Sequence, residues 1–142
     1  MARRLEGLSR RLVLFALACP LAVSGPATSS DSTSLTVPIV ISSAGLAGSF
    51  YTSELSLTNR GGTTATVRFT YTAAFGGGGG TATDTLLAGR QKTVPDAIEY
   101  LISLGLQIPT SGNRGGVLRL DFTDLSSPDA ASATVRTTTA VA

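Results

Sequence analysis

The chain has 142 residues, 11 of them basic and 9 acidic, is 42% hydrophobic and 6% aromatic, and contains one cysteine, no histidine and no tryptophan. Without histidine, the serine–histidine and cysteine–histidine nucleophiles and the usual zinc and copper ligand sets are excluded. The length suits a single hydrophobic core and is too short for two.

The chain opens with the basic residues Arg3, Arg4, Arg10 and Arg11, followed by an apolar run from Leu12 to Val23 and then small residues. This is the order of an export signal. The run is too short to span a bilayer as a stable helix, and cleavage is expected near Ser24 and Gly25. Residues 1–24 are therefore read as a signal peptide, with an extracellular, periplasmic or cell-surface destination and no membrane attachment after cleavage. Ser9-Arg10-Arg11-Leu12 also fits a twin-arginine signal, and Cys19 offers a lipidation site. Cleavage removes four basic residues and one acidic residue. Seven basic and eight acidic residues remain, a net charge of −1. No basic cluster survives to mark a nucleic-acid surface, and no thiol survives to form a disulfide.

Residues 25–34 are rich in serine and threonine and read as a flexible leader, which places the folded domain at 35–140. Leu35 to Ser42 is a β-branched strand in which Pro38 demands an edge or a change of sheet. Leu55 and Leu57, then Val67, Phe69, Tyr71, Ala73 and Phe75, alternate with polar residues, and Asn59-Arg60-Gly61-Gly62 supplies turn chemistry between the two runs. Together they read as a β-hairpin with one apolar face. Gly76 to Gly80 read as a mobile tip without packing, leading into a strand from Thr81 to Leu87.

A short strand, Arg90 to Val94, precedes the one helix, which Asp96 caps with Glu99 three residues on and Gly105 stops. The apolar arc of this helix takes in Ala97, Ile98, Tyr100, Leu101, Ile102 and Leu104. That is wider than one sheet requires. Either residues 106–109 fold over the excess or another chain does, and the second alternative makes Tyr100, Leu104, Leu106 and Ile108 candidate partner contacts. The turn at 110–116 is followed by Val117 to Phe122, with Leu118, Leu120 and Phe122 inward, then a polar loop and a last strand from Ala131 to about Thr139. The expected fold is all-β: an immunoglobulin-like β-sandwich of about seven strands with one short helix crossing an end.

The Val37-Pro38-Ile39-Val40 stretch, Gly48-Ser49-Phe50, the Leu55-x-Leu57-x-Asn59 run, Pro95-Asp96-Ala97-Ile98, the Gly112 to Gly116 turn and Arg136-Thr137-Thr138 resemble a family of uncharacterised secreted bacterial modules of immunoglobulin-like type. The resemblance covers about Leu35 to Thr139 and implies fold and address, with no active site to carry over. In that family a second sandwich segment often follows. A tandem partner module, self-association or a truncated gene product are the corresponding expectations.

The remaining constellations are weak. Asp121, Asp124 and Asp129 could bring oxygen ligands to calcium in one loop, but they lack the close alternation of a calcium loop and are ordinary turn-capping residues. Lys92, the single lysine, has no Ser-x-x-Lys partner and reads as a solvated strand residue. Arg114 reads as part of a turn. Gly76 to Gly80 lack the Lys-Ser/Thr of a phosphate loop. The sequence thus points to an exported, non-catalytic structural or protein-binding module without a cofactor. The rivals are a carbohydrate-binding module using Tyr51, Tyr71 or Tyr100 as a platform, and an enzyme of unrecognised type.

Overall fold

A computed structural model of the chain describes residues 30–141, so the expected signal peptide, Cys19 and the first half of the expected leader, residues 25–29, lie outside the described residues. Within them are seven antiparallel strands: β1 (Asp31–Ala44), β2 (Ser49–Asn59), β3 (Ala65–Phe75), β4 (Gly79–Leu86), β5 (Gln91–Val94), β6 (Arg114–Leu125) and β7 (Ala131–Val141). One α-helix, α1 (Ala97–Ser103), lies between β5 and β6. The architecture is all-β with a single helix.

Two ladders make up the sheet. The first runs β4-β3-β6-β1, and the second sets β5 and β7 on opposite edges of β2. They join where Ser42, Ser43 and Ala44 of β1 pair with Thr52, Tyr51 and Phe50 of β2. Beyond that point β2 leaves β1 for β5, and the buried hydroxyl of Ser53 accepts the Ile41 N–H (2.9 Å) where no ladder bond remains. Pro38 sits at a register shift between Val37 and Val40, which accommodates the missing donor.

β2 and β3 do not form the expected hairpin. No residue of one pairs with the other; β3 pairs with β4 and β6, and β2 with β1, β5 and β7. The alternation is real, but the apolar faces of the two strands meet in a common core instead of lying side by side. Leu55, Leu57, Val67, Phe69 and Tyr71 all belong to it, with Leu118, Leu120 and Phe122 from β6. This sharing of one core by two ladders is a sandwich-like arrangement. The arch between β2 and β3 is held by buried Asn59, whose Oδ1 accepts from Gly61 N–H (2.9 Å) and whose Nδ2 donates to the carbonyls of Thr63 (2.8 Å) and Leu86 (3.1 Å). An asparagine serves here because both ends of its amide are used.

Several boundaries also differ. β1 begins at Asp31, so the last residues of the expected leader, 31–34, are strand paired to β6. The alternation places Phe75 inward, yet a register shift between Ala73 and Phe75 turns its ring to the outside. The glycine run is no free tip. Gly79 and Gly80 pair with Thr72 and Tyr71, and Gly79 N–H donates to the Gln107 carbonyl (3.1 Å). Gly76 lies against the backbone of Asn113 and Arg114, and Gly78 against that of Gln107 and Ile108.

The helix forms as its caps dictate: Asp96 Oδ1 accepts from Glu99 N–H (3.0 Å), and Gly105, at φ 94°, ends it. Ala97, Ile98 and Leu101 are fully buried.

Candidate functional site

Two places on the molecule carry features that the core does not account for. The first is a polar cluster built by β4, β5 and α1. Asp84 on β4 accepts from Lys92 Nζ of β5 (2.5 Å) and from the Tyr100 hydroxyl of α1, and Lys92 also donates to the Tyr100 hydroxyl (2.9 Å). The Lys92 ammonium lies 4.7 Å from the centre of the Tyr100 ring, which in turn meets Phe69 edge-on at 5.7 Å. Burial pushes the Asp84 carboxyl upward, but hydrogen bonds from Lys92, Tyr100 and the Thr85 N–H outweigh it and hold it below the usual carboxylate range. The bonds to Asp84 and Tyr100 raise Lys92, and burial followed by the bond to Asp84 raises the Tyr100 hydroxyl. The two partners of the ion pair agree: carboxylate and ammonium are each stabilised in the charged form. A nucleophilic lysine needs the opposite shift. What this cluster does is fasten α1 to the edge of the sheet, and Lys92 is an ion-paired residue, not a freely solvated one.

The expected partner face on the helix is largely closed by the chain itself. Residues 106–109 fold back, so Leu106 and Ile108 are buried in the core, Leu104 is half-buried, and Tyr100 is engaged by Asp84 and Lys92. The expectation that Leu106 and Ile108 present an apolar contact surface is therefore corrected: the first of the two alternatives holds for them. These two residues, with Gly78, Ile102 and Pro109, line an open depression of about 520 Å³ that contains no charged side chain.

Arg114 is also not the turn residue expected. It opens β6 with its side chain buried, donating from Nη1 to Glu99 Oε1 (2.8 Å) and the Pro109 carbonyl (3.0 Å), and from Nη2 to the Ser42 hydroxyl (2.9 Å). It thereby ties the helix, the fold-back loop and β1 together. Its Nε and the Tyr71 hydroxyl are buried without partners, and burial raises Tyr71 while the charge of Arg114 opposes the shift.

The aspartates proposed for calcium do not converge. Asp121 is bound to the Ser34 hydroxyl (2.7 Å) and Arg119 Nε (2.9 Å). Asp124, at φ 63°, accepts from Thr123 (3.1 Å), and Asp129 lies exposed in a 3-10 turn. Among the described residues no group of three acidic, cysteine or histidine side chains could hold a metal ion. Of the tyrosines considered as a sugar platform, Tyr71 is buried, Tyr100 is half-buried beneath Lys92, and Tyr51 is 37% exposed.

The second place is one end of the outer face of the first ladder. Phe75, Gly115 and Ile41 occupy one cross-strand row on β3, β6 and β1. Gly115 has no side chain, and the Phe75 ring occupies the space a methyl group there would need. In the next row Val117 lies between Thr72 and the bulge containing Pro38 and Ile39. Phe75, Val117 and Ile39 are 42%, 39% and 50% exposed. The same face turns polar further along β6, where Arg119 and Asp121 neutralise one another.

Comparison with protein-family models, with curated proteins and with solved structures gives no match. Sequence reasoning missed the outer patch because two backbone irregularities create it: the shift that turns Phe75 outward and the bulge that exposes Ile39.

Proposed function

We propose that this chain is an exported, non-catalytic module of immunoglobulin-like sandwich type that binds another protein through the apolar end of its outer face. The observation that carries this reading is the patch of Phe75, Ile41, Val117 and Ile39 on three adjacent strands. Exposed apolar side chains that are contiguous, and not scattered, mark contact surfaces. A protein partner suits them better than a glycan, because the nearby charged groups Arg119 and Asp121 are spent on each other and leave few polar groups to orient a sugar. The export signal read from residues 1–24 supports an extracellular, periplasmic or cell-surface setting. The charged state of Lys92 and the dispersal of the carboxylates favour binding over catalysis.

A photo-crosslinking residue at position 117 tests the proposal in cells that export the protein. The expected result is a covalent adduct with a polypeptide at 117, absent when the same probe is placed at exposed Thr83, and lost on Ile39→Asp with the fold intact. The carbohydrate reading is favoured by exposed Tyr51. Glycan binding that Tyr51→Ala abolishes and Ile39→Asp leaves unchanged would replace the protein-contact reading.

A further inference from the structure

The second ladder ends in a strand whose far edge carries no partner among the described residues. β7 pairs with β2 from Ser49↔Val141 to Asn59↔Ala131 in one unbroken register, and no other strand pairs with β7. Natural edge strands are usually blunted by shortness, proline, lysine or a bulge. The other edges follow that rule: β5 has four residues, and β4 begins with two glycines, one of which is bonded to Gln107. β7 has 11 residues, no proline, glycine or lysine and no register shift. From Arg136 to Ala140 every side chain is exposed. The single charge in β7, Arg136, is matched by Glu54 on the neighbouring strand (3.1 Å).

We infer that the 136–140 segment of β7 pairs with the same segment of a second copy of this chain, antiparallel about a two-fold axis at Thr138. An open edge offers a row of backbone donors and acceptors that an extended strand satisfies. The self-pairing and its register follow from the side chains. An axis at Arg136 would set two guanidinium groups face to face. An axis at Thr138 sets Arg136 opposite Ala140 of the second copy.

Ala140 lies beside Phe50 on β2, and Phe50 is 39% exposed. Its small side chain leaves space for the second copy's Arg136 to swing from Glu54 across the axis and lay its guanidinium against the ring, a favourable cation–aromatic pairing. On one face the row across the dimer is then Phe50, Ala140, Arg136 and Glu54, the last two from the second copy, and the two-fold repeats it in reverse. The central row sets Thr138 against Thr138, with Thr52 outside each. On the other face Thr139 meets Thr137, another threonine pair suited to neighbouring strands. Five residues of strand with one aromatic cover at each end make a small interface, so the dimer is weak and concentration-dependent.

This surface is distinct from the outer patch, and sedimentation velocity on the full chain separates the two. The unaltered protein is expected to shift from monomer to dimer with concentration. Thr138→Lys, which places two ammonium groups at the axis, is expected to abolish the dimer while leaving the denaturation midpoint in place. Ile39→Asp is expected to leave the dimer intact. In a Cys19→Ser background, Thr138→Cys is expected to be captured as a dimer by a short bis-maleimide. Thr134→Cys is not, since four residues on each side of the axis separate the two cysteines by roughly 27 Å. A protein that stays monomeric at every concentration overturns the inference, as does a dimer that survives Thr138→Lys, is captured through position 134, or is lost with Ile39→Asp alone.

Discussion

Replacing glycines one at a time in the run from Gly76 to Gly80 distinguishes a free loop from a packed one. Gly77 has φ 76° and nothing within 4 Å of where a methyl group would stand. Gly77→Ala therefore carries only the left-handed backbone cost of about 1–2 kcal/mol, partly offset by ~0.4–1 kcal/mol from a stiffer unfolded chain. Gly78 has a similar φ of 90°, but a Cβ there would stand 2.5 Å from the Gln107 carbonyl oxygen and 2.8 Å from the Ile108 Cα. These are backbone atoms and cannot rotate away. Relieving the overlap costs about 1–3 kcal/mol, and displacing Gln107 endangers its bond to Gly79 N–H, worth roughly 1 kcal/mol. Gly78→Ala should thus cost about 3–5 kcal/mol, against ~1 at Gly77, in a fold whose total stability is of the order of 5–15 kcal/mol. Gly76→Ala, which overlaps the Asn113 carbonyl, should resemble Gly78→Ala. Urea denaturation followed by circular dichroism measures all three. Equal costs within about 0.5 kcal/mol would refute the packing argument and restore a solvated tip. Cutting the run to two residues should also destabilise, where a free loop would gain from shorter closure.

Tyr71→Phe removes a buried hydroxyl that has no partner, so stability should be unchanged or higher by up to ~1 kcal/mol in the same assay; a loss above about 2 kcal/mol would mean that the hydroxyl is bonded after all. Asp84 is held below the ordinary carboxyl range, so its contribution is full above the unfolded carboxyl pKa and is lost as pH falls through the folded value. Asp84→Asn should cost under about 1 kcal/mol at neutral pH, since both charged partners are partly exposed. The gap between the two proteins should close below about pH 4; a gap that widens on acidification would reverse the assignment of charge.

The sequence carried the strands well and their neighbours poorly. Alternation at Leu55–Leu57, Val67–Tyr71 and Leu118–Phe122 identifies which residues face inward, because that pattern is local. Whether β2 lies beside β3 or across from it is decided by which distant strands compete for its edges, and Asn59-Arg60-Gly61-Gly62 suits either outcome. The helix was legible to its caps, since Asp96 and Gly105 act within a turn or two. The role of Arg114 was not, for its partners Glu99, Pro109 and Ser42 come together only when helix, loop and β1 do. The five glycines looked unconstrained because their constraint comes from the backbone of another segment. The outer patch lay hidden for a related reason: period-two counting cannot register a bulge.

The pairing of β2 with β7 has a consequence for the order in which the chain can become ordered. Glu54 meets Arg136 across 82 positions, and Ser34 meets Asp121 across 87. The two strands made first thus find their main partners among the two made last. β1 and β2 share only three paired residues between themselves, too few to hold a sheet during synthesis. Topologies of this kind fold slowly, since distant loops must close before any ladder repays the lost freedom. The N-terminal half of the domain therefore waits for its main sheet partners until residues 114–125 and 131–141 have been made, so order comes to this chain late and nearly all at once.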